Sequence, residues 1–124
     1  MSPSSLVQIL NANAVELKFT RRRPLPNNTE RRMLATNDLT LLSSARGRVA
    51  LNFHGALNSL DFQPNKKNLV LTWDIFIQDF RLVPAESVEV ISVIKTTPPD
   101  EFWVYFNEVL AKMTQEQKVR FMHS

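Results

Sequence analysis

The chain has no cysteine, so disulfides, thiol catalysis and thiolate-based metal sites are all excluded. Its two glycines, Gly47 and Gly55, are too few for a loop that cradles phosphate with backbone amides. The two histidines, His54 and His123, lie in a stretch that reads as loop and at the tail, with no metal-ligand spacing around either. Asp74, Asp79, Glu86 and Glu89 are dispersed over strand ends and turns without a histidine near them, and no serine or threonine sits in a nucleophile elbow. No catalytic residue, metal or cofactor is expected, and the chain reads as non-enzymatic. Long apolar runs are missing as well, and Met1-Ser-Pro-Ser-Ser-Leu-Val-Gln-Ile-Leu10 has no basic region ahead of its apolar residues. Neither a membrane span nor a secretory signal is expected, and a reducing cytoplasm fits the lack of cysteine.

What is present is enough apolar material for one core: 124 residues, 44% hydrophobic, with eleven aromatics. Charge is unevenly spread. Residues 1 to 67 carry ten basic and four acidic side chains, a net +6, while the remainder carries five basic and eight acidic, a net −3. One half of the chain therefore offers a cationic surface.

The most telling pattern is the run Leu69 to Ile94, three β-branched and aromatic stretches parted only by turn residues. Leu69–Phe76, Phe80–Val83 and Val88–Ile94 read as an antiparallel meander, with a turn near Gln78-Asp79 and a tight turn of three-residue pitch at Pro84-Ala-Glu-Ser87. Ala14–Thr20 alternates Val15, Leu17 and Phe19 with polar residues, the period of a strand with one buried face. Arg21 to Thr29, with three arginines and two prolines, reads as an exposed loop, and Arg31–Thr36 as a second strand. Asn37 or Asp38 is a candidate N-cap for a short helix to Ser43 that Gly47 ends, Arg46 to Phe53 reads as extended, and His54 to Asn68 as a long loop.

Past Thr96 the apolar period lengthens. Thr96 or Thr97 is placed to cap a helix opened by Pro98 and Pro99, whose stripe is Phe102, Trp103, Phe106, Val109, Leu110 and Met113. Thr114 to Gln117 has the form of a capping box for a second helix through Met122. The expected fold is mainly β with C-terminal helices, an α+β chain: an arm or short helix over 1–14, a small antiparallel barrel over 15–96, and a helical extension over 97–124.

Lys18-Phe-Thr-Arg-Arg, Glu30-Arg-Arg-Met-Leu, Asn68-Leu-Val-Leu-Thr-Trp-Asp and Asp79-Phe-Arg-Leu-Val-Pro-Ala-Glu-Ser-Val resemble the small SH3-like, Sm-like β-barrel proteins of tailed bacteriophages. The resemblance spans roughly residues 15 to 94 and implies a barrel and a phage origin. It carries no activity, and the Arg21–Asn28 stretch and the helical tail depart from the pattern.

Two groups of side chains are candidate contact surfaces. Arg21, Arg22, Arg23, Arg31 and Arg32 bring five guanidinium groups to one barrel end, a composition suited to nucleic-acid phosphates with little sequence preference, and Arg46, Arg48, Lys66 and Lys67 extend the patch where they share its face, which the sequence leaves open. The competing reading is a solvated charged loop paired with Glu30 and Asp38. Phe102, Trp103, Tyr105 and Phe106 span more than half of a helix circumference, which leaves aromatic surface for a partner unless the tail folds back and caps the barrel. The first group points to a phage accessory protein that binds nucleic acid. The second points to an inhibitor or adaptor docking on a host protein complex. Self-association and a structural place in a virion are further readings.

Overall fold

A computed structural model describes residues 1–25, 28–43, 52–110 and 112–123. Helix α1 (Pro3–Ala12) opens the chain. The Ser2 hydroxyl accepts from the Ser5 amide at 3.3 Å, and Pro3 occupies the first helical position, where its missing N–H costs nothing. Leu6 and Leu10, one turn apart, are fully buried, so the first dozen residues form a packed helix and not a loose arm.

Five antiparallel strands follow: β1 (Asn13–Leu25), β2 (Asn28–Thr36), β3 (Leu69–Asp74), β4 (Asp79–Pro84) and β5 (Glu89–Lys95), in the sheet order β4-β3-β2-β1-β5. The inner face carries Val15, Leu17, Phe19, Met33, Ala35, Val70 and Val83, which pack with Leu6 and Leu10 of α1. The outer face carries Ala14, Leu34 and Trp73. It is covered by the short helix α2 (Leu39–Leu42) and by α4 (Pro99–Tyr105). Because β3 lies inside the sheet, Val70 through Asp74 are all buried, whereas edge strand β5 alternates half-buried and exposed residues.

The sheet is open, not the closed barrel expected. β4 and β5 are its two edges and share no ladder, so the expected three-strand meander reduces to the β3–β4 hairpin, and β5 crosses to pair with β1. Side chains tie the β4–β5 connection to β1 instead. Ser87 Oγ accepts from the Thr20 amide at 3.0 Å and donates to the Thr20 carbonyl at 3.3 Å, while Arg22 holds Glu86. The curl brings β1 into contact with β4.

Several boundaries shift for local reasons. β3 stops at Asp74 because its carboxylate captures the amides of Phe76 and Ile77 at 3.0 and 3.3 Å, so the turn begins earlier than expected. The 21–29 stretch is not a plain loop, since β1 and β2 continue as a hairpin with a register shift after Thr20. Within the stretch read as loop, α3 (Phe53–Asn58) forms with Asn52 Oδ1 accepting from the Gly55 amide at 2.8 Å, and a 3-10 turn covers Pro64–Lys67. The break at Gly47 and residues 46–51 of the expected extended run lie outside the described residues, and the end of that run is corrected, since Asn52 caps and Phe53 opens α3.

The capping expectations divide. Asp38 caps α2, accepting from Thr40 and Leu41 at 3.0 and 3.2 Å. The Thr114 and Gln117 side chains and amides exchange the reciprocal bonds of a capping box at the head of α5 (Gln115–His123). Neither Thr96 nor Thr97 caps α4, whose N-cap is Pro98. Thr96 is buried and its hydroxyl is committed to the Ala12 carbonyl and Asp38. A wider π-helical turn, Phe106–Leu110, follows α4. No described helix is long and apolar enough to cross a membrane.

Candidate anion-binding cleft

Pairing of β1 with β2 sets Phe19 opposite Arg31. Phe19 faces inward, so Arg31 does too, at the point where the apolar inner face gives way to charge. There it meets Asp74 at the end of β3: a terminal guanidinium nitrogen lies 2.7 Å from Asp74 Oδ2. Asp74 is fully buried. Burial pushes its carboxyl above the usual aspartate range, against the opposing pull of the Ile77 and Phe76 amides and Arg31. Arg31 is shifted down, first by burial and further by the nearby charges of Arg21 and Arg81, with Asp74 opposing. In both partners burial acts against the charged form and their mutual attraction opposes it, as expected of an ion pair taken out of water.

Arg31, Arg21, Arg22 and Arg81 line one cleft of about 330 Å³ whose remaining walls are Phe19, Leu69, Leu82 and Pro84. Arg81 comes from β4, where it stands opposite Thr72. It reaches Asp79 Oδ2 at 3.0 Å, and this hydrogen bond holds the exposed Asp79 carboxyl below its ordinary range. Arg22 forks onto Glu86 at 2.8 and 3.0 Å and also donates to the Lys67 carbonyl. The Glu86 carboxyl is lowered by that hydrogen bond and the Arg22 guanidinium raised by it. Three of the four arginines therefore have a carboxylate. Arg21 has none among the described residues.

The other expected contact residues are only partly gathered here. Lys67 is tied to the cleft through its carbonyl, while its ammonium lies over the Phe62 ring at 4.6 Å. Lys66 is exposed in the same 3-10 turn. Arg32 belongs to the opposite face of the sheet, where it pairs with Glu16, which also accepts from Ser92 at 2.9 Å. Alternation makes this unavoidable, because consecutive strand residues point to opposite faces. The cluster of five guanidiniums at one end is thus divided by the pleat. The Arg23 side chain, and Arg46 and Arg48, lie outside the described residues.

The aromatic surface is also corrected. Phe102 and Trp103 are buried with Leu41, Leu42, Trp73 and Ile75, and Phe106 packs half-buried against them. Their rings stack edge-on with centroids 5.1 and 5.3 Å apart. Only Tyr105 of the four is exposed. The tail folds back onto the sheet because its aromatics complete the second core cluster.

Arg81 and Asp74 escaped the sequence reading, which set Asp74 aside as one of several dispersed acids. The available signal was the alternation of β4: Val83 points inward, so Arg81 two residues earlier does as well. A larger groove of about 810 Å³ runs between α1, α3 and β3, and Asp61 is its only ionisable lining residue among those described. Compared with protein-family models, with curated proteins and with solved structures, the chain matches none.

Proposed function

We propose that the protein binds nucleic acid through backbone phosphates at the arginine-lined end of its sheet, as a non-enzymatic accessory protein of the phage type. The observation that carries the reading is the convergence of Arg21, Arg22, Arg31 and Arg81 on one cleft, with Lys67 adjoining it. Guanidinium groups offer forked donors to phosphate oxygens, and the charge left over by the three ion pairs lies at Arg21.

With so few free cations the binding is of modest affinity and carries little sequence preference, because phosphate contacts hold no base information. A salt titration with single- and double-stranded oligonucleotides tests it. Binding is present at low salt, weakens as salt rises, and weakens less steeply in Arg21→Ala. Absence of binding to any oligonucleotide at low salt would overturn the reading.

A further inference from the structure

Arg21 is the cleft guanidinium for which the described residues supply no carboxylate. Among the described residues its Nε is buried without a hydrogen-bond partner, and so is the Nε of Arg31 beside it. Both N–H groups have left water with no replacement acceptor among the described residues, and Arg81 adds positive field at the same place. Asp74 does not meet the need. Its oxygens serve the terminal nitrogen of Arg31 and the amides of Phe76 and Ile77. Two orphan donors and an uncompensated positive charge in one small cleft complement a single compact anion rich in acceptors.

Size and walls narrow the class. The cleft measures about 330 Å³, and Phe19, Leu69, Leu82 and Pro84 present carbon to its contents. A phosphodiester inside a chain has two free oxygens, one charge and a sugar on either side. A phosphate monoester has three free oxygens and close to two charges at neutral pH. The monoester enters such a cleft end-on and offers oxygens to two guanidiniums together.

We propose that the cleft is a phosphate-monoester site in which Arg21 and Arg31 hold a terminal phosphate and Arg81 adds the third positive group. The inference rests on the nucleic-acid reading only for the carrier: the same group terminates a nucleic-acid chain and a free nucleotide. The experiment compares a short single-stranded oligonucleotide carrying a 5′-phosphate, a 3′-phosphate or neither, by fluorescence anisotropy at fixed salt. In parallel, adenosine monophosphate is compared with adenosine by calorimetry.

A terminal phosphate is expected to tighten binding by about tenfold or more, the scale of a charge-assisted pair of hydrogen bonds. Arg21→Gln erases that preference, Arg81→Gln reduces it, and Arg32→Gln on the opposite face preserves it, each with a native circular dichroism spectrum. Two variants in the cleft keep the test open if one of them fails to fold. Preference for the monophosphate over adenosine without any oligonucleotide binding upholds the site, makes a free nucleotide its source, and ends the nucleic-acid reading. Preference confined to the oligonucleotide makes a chain end the source. Equal affinities throughout, with no preference for adenosine monophosphate, would overturn the phosphate-monoester site and leave the nucleic-acid reading standing. Discrimination that survives Arg21→Gln would remove Arg21 from it.

Discussion

Arg31 and Asp74, 43 residues apart in the chain, meet at 2.7 Å where the inner face of the sheet turns from apolar to charged. Removing one member of a buried pair strands the other, so Asp74→Ala is expected to cost about 3–5 kcal/mol. A urea titration with an unchanged slope measures it. A loss below about 1 kcal/mol, the range of exposed pairs, would show that the pair is solvated.

The same pair has a pH signature. The folded carboxyl of Asp74 lies above its ordinary range because it is buried, and Arg31 opposes that shift. In Arg31→Met the opposition is gone and the carboxyl rises further. A group raised in the folded state gives stability that is present below its unfolded pKa and lost as pH rises through its folded pKa. The urea midpoint of Arg31→Met should therefore fall away from that of the wild type as pH rises out of the acid range. A gap that stays constant with pH would refute the assignment.

Glu86 works in the opposite sense. Its carboxyl is held low by Arg22, so its contribution is present above the unfolded pKa and lost as pH falls through the folded one. Both side chains are about half exposed, 42% for Arg22 and 48% for Glu86, so Glu86→Gln is worth only about 0–1 kcal/mol at neutral pH. The difference from wild type should shrink as pH drops from about 5 to 3, the range in which carboxylates titrate. Acid titration followed by tryptophan fluorescence reports it.

Nucleic-acid binding should depend only gently on salt. Arg21 and the exposed Lys66 and Lys67 suffice for two or three phosphates, which corresponds to a slope of log affinity on log salt of about −2 to −3. Arg21→Ala lowers the steepness by about one, and Arg32→Ala leaves it alone because Arg32 is committed to Glu16 on the far face. A slope near −6 or steeper would mean that a second basic surface dominates.

The tail aromatics separate by role. Trp103, 6% exposed, is a core residue, and Trp103→Ala should destabilise by about 3–5 kcal/mol. Tyr105, 39% exposed, should tolerate alanine within about 0.5 kcal/mol. Thermal melts of the two variants decide whether α4 belongs to the core or stands ready for a partner.

Period-two alternation made β1 readable, and β-branched runs parted by turn residues made β3, β4 and β5 readable as strands, but the meander they suggested stops at β4 because β5 pairs with β1. Caps at Asp38 and Thr114 were readable for the same local reason, a side-chain acceptor ahead of free amides. The rest depended on pairing partners far away in the chain. That Arg31 enters and Arg32 leaves follows from Phe19 standing opposite Arg31, a register that no count of arginines contains. Thr96 looked like a cap until Ala12 and Asp38, distant in sequence, claimed its hydroxyl. Asp74 looked like one acid among several because its three partners are set by where β3 ends.

The hairpin of β1 and β2 holds one register from Ala14 to Thr20 and another at Leu25, which sits opposite Asn28. Four residues on one arm answer to one on the other in between, so the ladder is already out of step there. An insertion or deletion in that span lengthens or shortens the tip while the strand pairs beneath keep their partners. A change of length at this spot would therefore displace Arg21 and Arg22 from the cleft before it disturbed the sheet.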